Sequence, residues 1–146
     1  MESCRPRILI SSADLRMRLR LLHTLHKEFV VQPESDLNHT LRTLRNVEFS
    51  CVLVCCRKQS QFASHCQQIF TEIRRVPLMG IVDPYCVMVN PSYFINKYEL
   101  AGYLGGNASE QVILDFTQQL FSNKKPLIHG EPLQTRIGRI LKRLRF

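Results

Sequence analysis

The 146-residue sequence contains no apolar run near the ~20 residues that a membrane-crossing helix requires. It also has no internal repeat and no low-complexity tract. The opening MESCRPRILISSADLRMR places charges on both sides of a four-residue apolar stretch, unlike a secretory signal, so the chain is read as cytoplasmic with no membrane span. No GxGxxG or Walker pattern is present, and GYLGGN at residues 102–107 reads as a glycine turn rather than a phosphate cradle.

Six cysteines occur without a CxxC pair, and no paired histidine site accompanies them, so no metal or cofactor is expected. Cys51, Cys55 and Cys56 lie inside the strand-like run FSCVLVCC, whereas Cys4, Cys66 and Cys86 are scattered singly. Buried, reduced thiols acting as small apolar residues account for this pattern. Cys55 and Cys56 with His65 and Cys66 downstream raise the idea of a thiol nucleophile. The spacing places His65 on a helix behind the strand rather than at its C-terminal end, so no catalytic residue is assigned. The histidines His23, His26, His39 and His129 read as surface or boundary positions.

What is present is a 45% apolar composition that suits one globular domain. The net charge of +8 is unevenly spread. Residues 123–146 carry Lys124, Lys125, Arg136, Arg139, Lys142, Arg143 and Arg145 against Glu131, which is +6 of the total. A basic tail on a near-neutral body implies an acidic partner for the tail.

The body alternates strand-like and helix-like segments. RILIS (7–11), FVVQP (29–33), FSCVLVCC (49–56), VPLMGIVD (76–83) and LAGYLGG (100–106) read as strands. FSCVLVCC lacks polar alternation, as expected of a central parallel strand buried on both faces. The first helix is expected to be capped by Asp14 and to carry its apolar spacing on Leu15, Leu19, Leu22 and Leu25 or His26, with Arg16, Arg18 and Arg20 facing solvent. Leu37, Leu41 and Leu44 mark the second helix, and Phe62, Cys66, Ile69 and Ile73 the third. Pro91 makes the fourth a short or restarted helix. Val112, Ile113, Phe116, Leu120 and Phe121 give the fifth its apolar face. Five βα units of this kind predict an α/β fold, a doubly wound five-stranded parallel sheet over residues 1–122. Residues 123–132 read as a linker, and 133–146 as an amphipathic basic C-terminal helix with Leu133, Ile137, Ile140, Leu141 and Leu144 on one stripe.

From residue 7 to 122 the element order and several strings resemble the response-regulator receiver family, the CheY-like phosphoacceptor domain of two-component systems. RILISSADLRMRLR is similar to its first strand, acidic loop and helix; FSCVLVCC to the strand ending in the phosphoacceptor aspartate; VPLMGIVD to the strand ending in a hydroxyl residue; LAGYLGG to the strand leading to a lysine. The resemblance implies a flavodoxin-like fold of strand order 2-1-3-4-5. Carried over residue by residue, the acidic pair falls on Ser12 and Ala13 with Asp14 beside them, the phosphoacceptor on Cys55, the hydroxyl on Val82 and the lysine on Gly105 or Gly106.

These substitutions remove the hard oxygen ligands that Mg²⁺ needs and the groups that hold a phosphoryl oxygen. The expected function is therefore that of an atypical, phosphorylation-independent receiver, not an enzyme, acting in signal transduction or regulation through a protein partner or a homodimer. The resemblance points to the face from the fourth strand to the fifth helix, with Tyr85, Val87, Met88, Tyr93, Phe94, Tyr98 and Tyr103 as an exposed contact patch. The alternative reading is a DNA- or RNA-associated regulator in which Arg136, Arg139, Lys142, Arg143 and Arg145 contact phosphates.

Overall fold

The structure is a computed structural model that describes residues 5–123 and 125–130. The expected C-terminal helix, with Arg136, Arg139, Lys142, Arg143 and Arg145, lies outside the described residues, as does Cys4. Strands β1 (Arg7–Ser11), β2 (Val30–Glu34), β3 (Cys51–Val54), β4 (Leu78–Asp83), β5 (Gly102–Gly105) and β6 (Leu127–His129) alternate with helices α1 (Leu15–Leu25), α2 (Leu37–Asn46), α3 (Gln59–Glu72), α4 (Pro91–Tyr98) and α5 (Glu110–Ser122). All strand pairs are parallel, and the sheet order is β2-β1-β3-β4-β5-β6. The flavodoxin-like order read from the sequence is thus present, extended by one strand.

Because side chains alternate across a pleated strand, the sheet divides its residues between two cores. Ile8, Ile10, Cys51, Leu53, Cys55, Val82 and Leu104 pack with Met17, Leu21, Leu25, Ile113, Phe116 and Leu120 of α1 and α5. Leu9, Val52, Val54, Cys56, Met79, Ile81 and Tyr103 pack on the other face with Leu41, Phe62, Cys66, Ile69, Phe94 and Tyr98 of α2, α3 and α4. Burial on both faces explains the unbroken apolar run of β3.

Several expectations are corrected. The stretch 123–132 is not only a linker, since Leu127–His129 pairs in parallel with β5 in register Gly102↔Leu127 and Tyr103↔Ile128. The expected short helix at Pro91 is present: α4 has 8 residues and starts there, with Asn90 as N-cap, because proline lacks the amide that the first turn leaves unpaired anyway. In α1 the buried residues are Met17, Leu21, Thr24 and Leu25, whereas Leu15 and Leu19 are 58% and 53% exposed. Arg18 and Arg20 are half-buried: each guanidinium donates to a loop carbonyl at the sheet edge, that of Ser12 at 2.7 Å and that of Ala108. Met88, Phe94, Tyr98 and Tyr103 are buried instead of forming an exposed patch. They fill the core between α3, α4 and the sheet, and Tyr85 and Tyr93 remain exposed at 47% and 54%.

Candidate functional site

In a doubly wound sheet the strand order reverses at one point, and the loops diverge there to leave a crevice beyond the carboxyl ends of the strands. Here that point lies between β1 and β3, and the strand ends bring together the positions singled out in the sequence. Ser12 and Ala13 follow β1, Asp14 caps α1, Cys55 follows β3, Val82 and Asp83 end β4, and Gly106 follows β5. A cleft of about 380 Å³ lies against Asp14, Arg16, Cys55, Arg57, Gln61 and His65.

Asp14 is the charged centre of this edge. Its side chain is only 6% exposed, and both carboxylate oxygens are engaged. Oδ1 accepts from the Arg16 and Met17 amides at 3.1 and 3.5 Å, the N-cap contact expected from the sequence. Oδ2 accepts from the Tyr85 hydroxyl at 2.5 Å and lies 3.3 Å from the Arg57 guanidinium. Arg57 also sits over the Tyr85 ring, 5.6 Å from its centroid. The Tyr85 hydrogen bond, the two amides and the Arg57 charge together hold the Asp14 carboxyl below the usual aspartate range, against the opposing effect of burial. Three loops, after β1, β3 and β4, are joined by this one carboxylate.

The neighbouring positions offer no second hard ligand. Cys55 is buried, and desolvation, the first cause, pushes its thiol up to about 12. Val82 belongs to the α1 and α5 core. Gly106 has φ +92 and its amide donates to the Asp83 carbonyl at 3.0 Å. One carboxylate already facing a guanidinium does not fit Mg²⁺, which takes octahedral oxygen ligands. Among the described residues no group of three or more His, Cys, Asp or Glu could hold a metal ion.

Asp83 follows Val82 but faces the opposite side of the sheet. It is fully buried, and its carboxylate accepts from the Val87 and Met88 amides at 3.1 and 3.0 Å and from the Tyr103 hydroxyl at 2.9 Å. Burial, then the Asp83 charge, raise the Tyr103 phenol well above its ordinary value. Asp83 thereby fastens the β4–α4 loop to β5.

The structure also corrects the placement of His65, which does reach the crevice: its Nδ1 lies 3.8 Å from the Cys56 sulfur. The pair is nonetheless not an activated nucleophile. The same Nδ1 is bonded to the Gln61 carbonyl at 2.8 Å, burial lowers the imidazole pKa, and burial raises Cys56 to about 12. Arg57 carries no sequence signal for this site, and Tyr85 and Tyr103, read from the sequence as contact-patch residues, instead hold Asp14 and Asp83.

This geometry is that of the flavodoxin-like class, whose functional edge is the carboxyl end of a parallel sheet. Within that class the chain adopts the receiver fold of CheY-like response regulators. It superposes on the chemotaxis response regulator CheY4 of Vibrio cholerae with TM-score 0.67 at 12% identity, covering 80% of this chain and 98% of that one. The signal receiver domain of an HD domain-containing protein from Pseudomonas fluorescens gives TM-score 0.69 at 18% identity, with 81% and 95% coverage. A CheY-like receiver domain protein from Methanospirillum hungatei gives 0.68 at 16%, with 82% and 96%. No family model and no curated relative matches the chain.

Proposed function

We propose that this chain is a response-regulator-like signalling domain that works as a constitutive binding module, without aspartyl phosphorylation and without catalysis. The observation that carries this reading is the saturated Asp14 carboxylate. In a phosphorylation switch the crevice needs free carboxylate oxygens for a metal and an acceptor aspartate at the end of β3. Here the solvent-facing guanidinium of Arg57 takes the electrostatic place of a metal, and the acceptor position is the buried thiol of Cys55. With Tyr85 closing the third side, the loops that would rearrange on phosphorylation are tied in one arrangement.

The partner is a protein, and the reading places it in the cytoplasm; no described helix is long and apolar enough to cross a membrane. The contact surface runs over the β4–α4 loop and α4, where Tyr85, Val89 and Tyr93 are about half exposed. Strand β6 pairs with the outer edge of β5, so self-association by this face uses the α4 surface and not the β5 edge.

The test is titration of the full chain with Mg²⁺ and beryllofluoride, followed by backbone amide NMR and sedimentation. Unchanged shifts around residues 12–14 and 55, with an unchanged oligomer, are expected. Saturable shifts there overturn the proposal and restore a phosphorylation switch.

A further inference from the structure

The opposite end of the sheet has a different character. At the amino edge, a groove leaves apolar surface and the Arg74 guanidinium exposed. The connections from α2 to β3 and from α3 to β4 flank an open groove of about 980 Å³. Its floor is formed by the nearly buried Phe49 and Ile73, and its walls by Val47 and Val76, which are 37% and 39% exposed. Two ion pairs span it: Arg45 with Glu72 at 3.3 Å, and Arg75 with Glu48 at 3.6 Å. These pairs engage both glutamates of the groove and leave Arg74 without an acidic partner among the described residues.

We infer that this groove binds a small amphipathic carboxylate, an apolar chain ending in an anionic head. The volume is of the size found for small-ligand sites, roughly 300–1,000 Å³, and Leu44, Val47, Phe49, Ile73, Val76 and Pro77 supply the apolar half of its lining. The exposed valines on two different loops give an apolar chain a wall on each side, and its burial there removes water from both. The planar guanidinium of Arg74 presents two parallel donors that match a carboxylate. A cationic head would meet three arginines against two glutamates, and a neutral head would leave Arg74 unpaired. Helix dipole effects favour a cation just beyond the C-terminus of α3, but they act on the arginine alone and do not account for the exposed walls. The inference is independent of the crevice at the carboxyl edge.

The probe is sodium decanoate below its micellar range, added to the full chain and followed by amide NMR. Saturable shifts confined to residues 45–49 and 72–77 are expected. Arg74→Glu should weaken binding by about tenfold or more, the scale of a lost charge-assisted contact, while its spectrum elsewhere superposes on that of the parent. Val76→Asp, at an exposed wall, should do the same. Decanol should bind at least about tenfold more weakly, for want of a partner for Arg74. Shifts that rise linearly or spread over the surface overturn the inference, as does an affinity unchanged by Arg74→Glu or decanol binding as tightly as decanoate.

Discussion

The Tyr85 hydroxyl donates to Asp14 Oδ2 at 2.5 Å across 71 residues of chain. The bond couples the loop after β4 to the start of α1, and its effect is readable in the titration of Asp14. The folded pKa lies below the ordinary aspartate value of about 3.9. By linkage, the stabilisation is fully present above that ordinary value and is lost as pH falls through the depressed one. Tyr85→Phe removes the largest lowering cause, so the Asp14 carboxyl should titrate at higher pH, and the acid loss of stability that Asp14 contributes, which starts at the unfolded-state value in both proteins, should be smaller and end at higher pH. Carboxyl NMR of the variant and parent measures this; an unmoved titration would show that Tyr85 is not a partner in solution.

On the other face of the sheet, Tyr103→Phe deletes one of three donors to the buried Asp83 carboxylate while keeping the ring that fills the core. Leaving a buried acceptor short of a partner costs about 1–3 kcal/mol. The unfolding free energy should fall by that amount, lowering the denaturant midpoint by that value divided by the unchanged slope. No change in midpoint would mean that water replaces the hydroxyl.

Much of this was legible because burial writes itself into local patterns. β3 has apolar side chains on both faces, and α3 repeats Phe62, Cys66, Ile69 and Ile73 on one stripe, all buried as expected. In α1 the pattern misleads. Leucines at 15, 19, 21, 22 and 25 occur on more than one side of the helix, and only the distant sheet decides that Leu21 and Leu25 are covered while Leu15 and Leu19 are not. β6 has three residues, too few for a periodic signal, and is defined by its register with β5. The strand ends located Ser12, Ala13, Asp14, Cys55 and Gly106. Arg57 and Tyr85 sit in loops, where no period reveals which side chain faces Asp14.

The cysteines differ in access in a way that chemistry can count. Cys51, Cys55, Cys56 and Cys66 are buried, and desolvation holds each thiol near about 12. Cys86 is partly exposed in the β4–α4 loop. The thiolate is the reactive form, so native-state alkylation should modify Cys86 first among these five, and the others only on unfolding. Mass spectrometry of digested, alkylated protein checks this, and early labelling of Cys55 or Cys56 would contradict the placement of β3.

The attachment of β6 depends on Gly130, which adopts φ +77 where a Cβ would collide with the Gly105 carbonyl. For Gly130→Ala the left-handed conformation alone costs roughly 1–2 kcal/mol, about tenfold in the opening equilibrium of β6. Hydrogen exchange of the Leu127 amide, which bonds the Ala101 carbonyl, should accelerate accordingly while β1 and β3 stay protected. Uniform acceleration across the sheet would instead make β6 part of the global folding unit.

Tyr93 tests the contact surface without disturbing the core. It is 54% exposed on α4, with the Lys97 ammonium 5.5 Å from its ring centroid, whereas its neighbour Phe94 is buried. A polar substitution at Phe94 would damage the fold, so it cannot separate an interface from a packing role. Tyr93→Glu removes an exposed aromatic from the proposed contact and adds a charge there. Exposed aromatics at the centre of an interface are worth about 2 kcal/mol or more, so self-association measured by sedimentation should weaken by more than about tenfold. Thermal stability should fall much less than for a polar change at Phe94, since about half of Tyr93 is exposed in the monomer. Equal dimerisation by variant and parent would move the contact off α4, and a monomeric parent at high concentration would leave a different protein as the partner of this face.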